Sequence, residues 1–284
     1  MAPNLSSGAP LTGPAETGPS LLRLVPPVLR ARDFHLYTQA RRGEKGRLTD
    51  LWQNGGGAVL GHKPPALLRE FKNSLDRGLA SPLPHPLERR LFRALDRLFP
   101  GRAFRVYAAG ASPPFFPAPG DADFALWRPF LDENAPLAVP EPGAPVLLPV
   151  LPGPGWARGR PSGPWILAFP SGLEAAHPFP PSDLIPPALL AVLTRGVYDL
   201  IAAAPERVRC PFPKIRAALR RGPWERRGIY LIHREPPEPA AWEALFRRFL
   251  AGGFLIPPEP ETPLILPGLL SPGEDAQLAA LLTG

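Results

Sequence analysis

Apolar residues return every three to four positions in two early stretches. In 65–79 this spacing puts Leu67, Leu68, Phe71 and Leu75 on one helical face, and proline is tolerated in the first turn. In 86–99 it does the same for Leu87, Leu91, Leu95 and Leu98. Both read as amphipathic helices. Shorter apolar runs bounded by turn residues read as strands at 48–52 and 104–107, and 21–32 reads as a short helix or an arm. The middle, 111–181, holds apolar runs at 124–131, 145–151 and 165–169, the last two like buried strands between Pro and Gly. From 186 the helical pattern returns with an apolar helix over 188–203 and a short basic one over 213–221. A compact unit follows: strand 228–233, helix 239–251, strands 253–256 and 264–266, and helix 272–282. The last helix opens with Ser271, Pro272 and Glu274, a capping box with proline at the first helical position.

This pattern predicts an α/β protein in three parts. Residues 1–32, rich in Pro, Gly, Ser and Thr at the start, form a tail or arm. Residues 33–185 form an N-terminal segment and a reduced large domain, and 186–284 a small C-terminal α/β domain. Composition sharpens this. The 45 Pro and 27 Gly make up about a quarter of the 284 residues, so elements must be short, while 44% hydrophobic content supplies a core. The single cysteine, Cys210, excludes an internal disulfide framework. No run of 18 apolar residues predicts a membrane span, and no basic-then-apolar leader opens the chain, so the expected compartment is the cytoplasm.

The net charge of +7 raises the question of nucleic acid. Arg41, Arg42, Lys45 and Arg47 cluster, as do Arg216, Arg220, Arg221, Arg226 and Arg227. Only 4 Lys stand beside 28 Arg, which points to a compositional bias, and the clusters are read as solvated faces without a nucleic-acid role.

The order of the motifs resembles the class-III, fold-type-I pyridoxal-phosphate-dependent aminotransferases, the group that includes glutamate-semialdehyde aminomutase and diaminopelargonate aminotransferase. Tyr37-Thr38-Gln39 is similar to the aromatic-Thr-Gln segment before the first strand of some members. Thr49-Asp50 through Leu60-Gly61-His62-Lys63-Pro64 is similar to their Asp … Leu-Gly-His-x-His-Pro entry, and the following helices match in position and length. Pro164 through Leu173, followed by His177-Pro178, resembles the segment that carries the Schiff-base lysine, with Ser171 in the lysine's place. The C-terminal part follows the small-domain pattern. The resemblance implies a reduced fold-type-I architecture: a truncated large parallel-sheet domain plus the small C-terminal domain. It also implies a homodimer, with a heterodimer with an intact aminotransferase as the other possibility. Trp52, Val59, Leu60 and the Phe115-Phe116 pair are the candidates for that interface.

The departures bear on chemistry. The family holds cofactor phosphate with a Gly-Ser pair at a helix N-terminus, where free N–H groups favour an anion. Here Gly110 stands at the Gly position and Ala111 at the Ser position. Ser112 lies one residue on, and Pro113 and Pro114 remove two donors. The aspartate that pairs with the pyridine nitrogen has no counterpart in 152–164, and no lysine lies between Lys72 and Lys214. Pro263, Leu264 and Ile265 stand where some members carry a substrate-gripping arginine. Gly110, Ser112, Ser171 and His177 are therefore vestigial cofactor-site positions, no catalytic residue is assigned, and no cofactor is expected. The alternative is a lysine-free enzyme using pyridoxal or pyridoxamine phosphate with His177 as base. Other chemistry lacks support. His62 reads as a turn element before a helix, Asp121 and Asp123 as a turn, and no His, Cys or carboxylate set has metal-ligand spacing. Ser171 lacks a G-x-S-x-G context, and Gly55–Gly57 lacks a nucleotide-loop pattern.

Overall fold

The computed structural model of the protein describes residues 21–39, 46–108, 124–139, 146–153, 156–157, 160–161, 163–175, 179–209 and 211–283. Residues 28–38 form a hairpin, β1 (Val28–Arg32) against β2 (His35–Thr38), where a helix or arm was expected over 21–32. β2 pairs antiparallel with β3 (Arg47–Asp50), and β3 pairs in parallel with β12 (Phe254–Leu255) from near the chain's other end. The N-terminal segment is thus bound into one four-stranded sheet with a C-terminal strand.

Two helices follow, α1 (Pro65–Asp76) and α2 (Leu87–Leu95), and both pack on the long α3 (Pro187–Arg207). On α2 the predicted stripe faces inward, with Leu91 and Leu95 buried. On α1 the expectation fails. Leu67 and Ser74 are buried, while Leu68, Phe71 and Leu75 are 47%, 36% and 41% exposed. Periodicity marked the stripe, but the packing of α1 on α3 leaves most of it outside. The helix α3 is apolar enough, by length and composition, to cross a membrane, but most of it is buried inside the protein. It is therefore a core helix, and it stays closely packed because Gly196 has no side chain to meet the Pro152 carbonyl. At its end the buried Arg207 donates through Nε to the Val59 carbonyl (2.8 Å) and through Nη2 to the Leu266 carbonyl (2.6 Å). These bonds tie three distant segments together.

The central sheet has strand order β4–β9–β6–β5, from β4 (Arg102–Tyr107), β5 (Phe124–Trp127), β6 (Val146–Pro149) and β9 (Trp165–Pro170). β5 and β6 are parallel, but β9 runs against both its neighbours, β4 and β6. The sheet is mixed where a parallel one was expected. Its strands alternate between two cores, as a pleated strand must when both faces are covered. Val106, Leu147, Ile166 and Ala168 join the main core, while Tyr107, Val146, Leu148, Trp165, Leu167 and Phe169 form a second cluster. Leu173 and Phe179 pack on that second cluster. Residues 111–123 lie outside the described residues. A two-strand hairpin, β7 (Trp156–Ala157) and β8 (Arg160–Pro161), stands apart from the sheet.

The C-terminal region contains α4 (Pro213–Leu219), β10 (Trp224–Arg227), β11 (Tyr230–His233), α5 (Pro239–Ala251), β12, β13 (Leu264–Ile265) and α6 (Pro272–Thr283). The predicted strand–helix–strand–strand–helix order is present, but β12 and β13 join different sheets. β13 completes an antiparallel sheet with β11 and β10. The capping box forms as read: the Ser271 N–H donates to Glu274 Oε2 (2.9 Å) and the Glu274 N–H to Ser271 Oγ (3.3 Å). The main core runs without interruption from Leu21 to Leu282.

Candidate functional site

A cavity of about 830 Å³ opens between the β1–β3 sheet, α1 and α3. Its walls are mostly apolar, including Val28, Leu36, Leu67, Phe71 and Val192. Its polar side is built at the end of β3. Asp50, 1% exposed, accepts the backbone N–H of Trp52 and of Gln53 on Oδ1 (both 2.8 Å), and His62 Nε2 donates to its Oδ2 (2.8 Å). A buried carboxylate is tolerated only when its oxygens are satisfied in this way.

Local backbone geometry brings the pair together. Gln53, Asn54, Gly55 and Gly56 all have positive φ, a left-handed run costly for its two non-glycine members. The buried Gln53 holds the run in place, its Nε2 donating to the Ile265 carbonyl (2.9 Å). Gly61 (φ +91°) turns the chain back so that the His62 N–H bonds the Asp33 carbonyl. A Cβ at Gly61 would sit 3.0 Å from that same oxygen. His62 is held from both sides, its backbone by Asp33 and its ring by Asp50. Lys63, also at positive φ, is an exposed cation at the cavity's edge.

A carboxylate–imidazole pair in a concave apolar site can orient a ligand donor and exchange a proton with it. Among the described residues, no Ser, Thr or Cys lines the cavity. By sequence pattern His62 stands in a turn before a helix; its pairing with Asp50, twelve residues away, exists only in the fold. Val59, a candidate interface residue, is fully buried, Leu60 is partly buried, and Trp52 lines the cavity. Phe115 and Phe116 lie outside the described residues. No group of three or more His, Cys, Asp or Glu with metal-binding geometry occurs among the described residues.

Of the four vestigial cofactor positions, Gly110, Ser112 and His177 lie outside the described residues. Ser171 is exposed at the end of β9, where its Oγ donates to the Gly101 carbonyl (3.0 Å). The antiparallel register sets Pro170 against Arg102 and Trp165 against Tyr107. Ser171 therefore stands at the start of β4. The chain leaves toward 110 and 112 from the other end, at Ala108, where the N–H bonds Asp183 Oδ2 (2.9 Å). Six strand residues at roughly 3.4 Å each separate the two ends by about 20 Å. The fold does not bring Ser171 beside the end of β4. The cause is the direction of β9, which short apolar runs cannot signal.

No family model matches the chain. It is 29% identical to an uncharacterized protein of Treponema pallidum (strain Nichols) over 293 residues, covering 85% of this chain and 89% of that one. It is also 34% identical over 79 residues to an uncharacterized protein of Borreliella burgdorferi, 28% of each chain. Among solved structures it is similar to the ornithine δ-aminotransferase of Plasmodium falciparum (TM-score 0.59, 12% identity, 97% of this chain and 94% of that one). It is also similar to an omega-transaminase of Sphaerobacter thermophilus (0.60, 13%, 91% and 90%) and to the acetylornithine aminotransferase of Elizabethkingia anophelis (0.57, 11%, 97% and 95%). The fold is aminotransferase-like. At these identities the likeness concerns the fold alone, so the chemistry must be argued from the chain's own residues.

Proposed function

We propose that this is a non-catalytic, aminotransferase-like protein that acts in the cytoplasm as a binding or regulatory partner. The reading rests on lysine placement. Transamination needs a lysine that first holds the cofactor as an imine and then moves the substrate proton. The interval between Lys72 and Lys214 supplies all four strands of the central sheet and contains no lysine. A lysine is lacking wherever in that interval the vacated position lies. Lys72 and Lys214 are exposed on α1 and α4, and Lys63 lies at the edge of the N-terminal cavity. The residues present do not fit pyridoxal phosphate: Ser171 lies beside the start of β4, about 20 Å along the strand from its other end, and Pro113 and Pro114 offer no N–H to a phosphate. The favoured assembly is a homodimer; pairing with an intact aminotransferase is the alternative.

The test is to mix purified protein with pyridoxal phosphate, record the absorbance spectrum, reduce with borohydride and map any adduct by mass spectrometry. The expected result is no imine band and no site-specific adduct. A stoichiometric adduct on Lys63 or any other single lysine would overturn the reading. Saturable binding without trapping would favour the lysine-free enzyme.

A further inference from the structure

A second cavity, of about 1020 Å³, lies where the end of α4, the edge strand β10 and the loop 128–138 meet. Six arginines line it: Arg128, Arg216, Arg220, Arg226, Arg227 and Arg234. The geometry points to a binding site for a compact ligand carrying two or more phosphate groups.

The case rests on how the charges are matched. Arg226 pairs with Glu133, and its Nε donates to the Gly228 carbonyl (2.7 Å). Arg227 Nε pairs with Glu225 (2.7 Å). Arg128 donates to the Gly55 carbonyl (3.0 Å) and lies over the Tyr230 ring. The remaining carboxylate in the wall, Asp132, accepts the Asn134 N–H (2.8 Å). Arg226 and Arg227 are thus paired, Asp132 is engaged by its own turn, and Arg216, Arg220 and Arg234 have no side-chain partner among the described residues. Arg216 and Arg220 stand four apart at the end of α4, a spacing at which like charges repel. Arg234 follows β11 on the neighbouring sheet. Three unmatched guanidiniums from two elements therefore face one concavity.

Guanidinium forks match phosphate oxygens in pairs, and a concave wall of one sign concentrates the field on an anion. Three unpaired cations exceed the charge of one phosphate, about −2 at neutral pH, so charge matching favours a ligand that carries more than one. The cavity's size suits a small molecule rather than a long chain. The paired carboxylates Glu133 and Glu225 restrict the positive field to the opening beside Arg216, Arg220 and Arg234.

Calorimetric titration of the full chain with sodium tripolyphosphate tests this. Saturable binding of one equivalent is expected, weakening steadily as salt rises from about 0.05 M to about 0.2 M. Arg216→Gln with Arg220→Gln, and separately Arg234→Gln, should each weaken binding by roughly tenfold or more. These side chains are exposed, so the variants should keep the wild-type circular dichroism spectrum. Arg69→Gln with Lys72→Gln on α1 removes the same charge elsewhere and should leave the affinity unchanged. Three results would overturn the proposal: no saturable binding, equal loss in the α1 control, or tight binding of single-stranded RNA that tripolyphosphate fails to displace.

Discussion

Glu274 shows how one side chain can serve two levels of structure. It closes the capping box of α6 and also reaches across to the N-terminal sheet. There it accepts from His35 Nε2 (2.9 Å), Thr49 Oγ1 (2.8 Å) and Arg47 Nη2 (3.2 Å). Burial alone would push its pKa up. The hydrogen bonds from the Ser271 backbone and hydroxyl, His35 and Thr49 outweigh it and hold the carboxyl down at about 2. A carboxyl whose pKa falls on folding adds stability above its unfolded value, near 4.5, and loses that contribution as pH drops from there through about 2. Glu274→Gln should therefore lower stability at pH 7 by on the order of 2 kcal/mol and flatten the acid side of the profile. Urea unfolding at pH 7 and pH 3 measures both. An unchanged difference between the two pH values would show that Glu274 does not carry this dependence.

At the scale of elements, α3 presents a conflict between local preference and packing. Alanine is the better helix former by up to about 1 kcal/mol, so propensity alone says that Gly196→Ala should stabilise. The Cβ it adds would collide with the Pro152 carbonyl, a backbone atom just beyond β6 that cannot swing aside. Overpacking of this kind costs roughly 1–3 kcal/mol. The expected outcome is a lower melting temperature in a scan at neutral pH, and a rise would mean that the α3–β6 junction yields easily. The strands make a related point. In β9 the alternation of Trp165, Leu167 and Phe169 with Ile166 and Ala168 serves two cores, so neither face can be polar. That explains the continuous apolar run that made the segment legible as a buried strand.

At the scale of the whole molecule, the apolar residues left outside are informative. Leu68, Phe71 and Leu75 on α1 lie outward, and Val28 and Leu29 are exposed on β1, an edge strand. Val28, Leu68 and Phe71 also border the N-terminal cavity. An apolar face beside an unpaired strand edge is a surface that association covers. The proposed dimer is expected to use this face rather than Val59, which is buried. Light scattering after size exclusion should give a dimer at micromolar concentration, and Phe71→Glu with Leu75→Glu should shift it to monomer without loss of helical signal. A monomeric wild-type protein, or a charged variant that stays dimeric, would rule out this interface.

Most elements were legible in the sequence because their signals are local. The α2 stripe, the α3 apolar run, the Ser271–Glu274 cap and the C-terminal strand–helix order depend on residues a few positions apart, and all appear as read. The absence of lysine between 72 and 214 is likewise a property of the sequence itself. Other features were settled only by tertiary structure. These were the direction of β9, the division of β12 and β13 between two sheets, the outward turn of α1 and the pairing of Asp50 with His62. In each case the deciding contact joins segments distant along the chain or turned by an unusual backbone run. Periodicity says which residues prefer burial, but not which neighbour buries them. Strand pairing and buried hydrogen bonds make that choice, and their energies exist only once the distant partners have met.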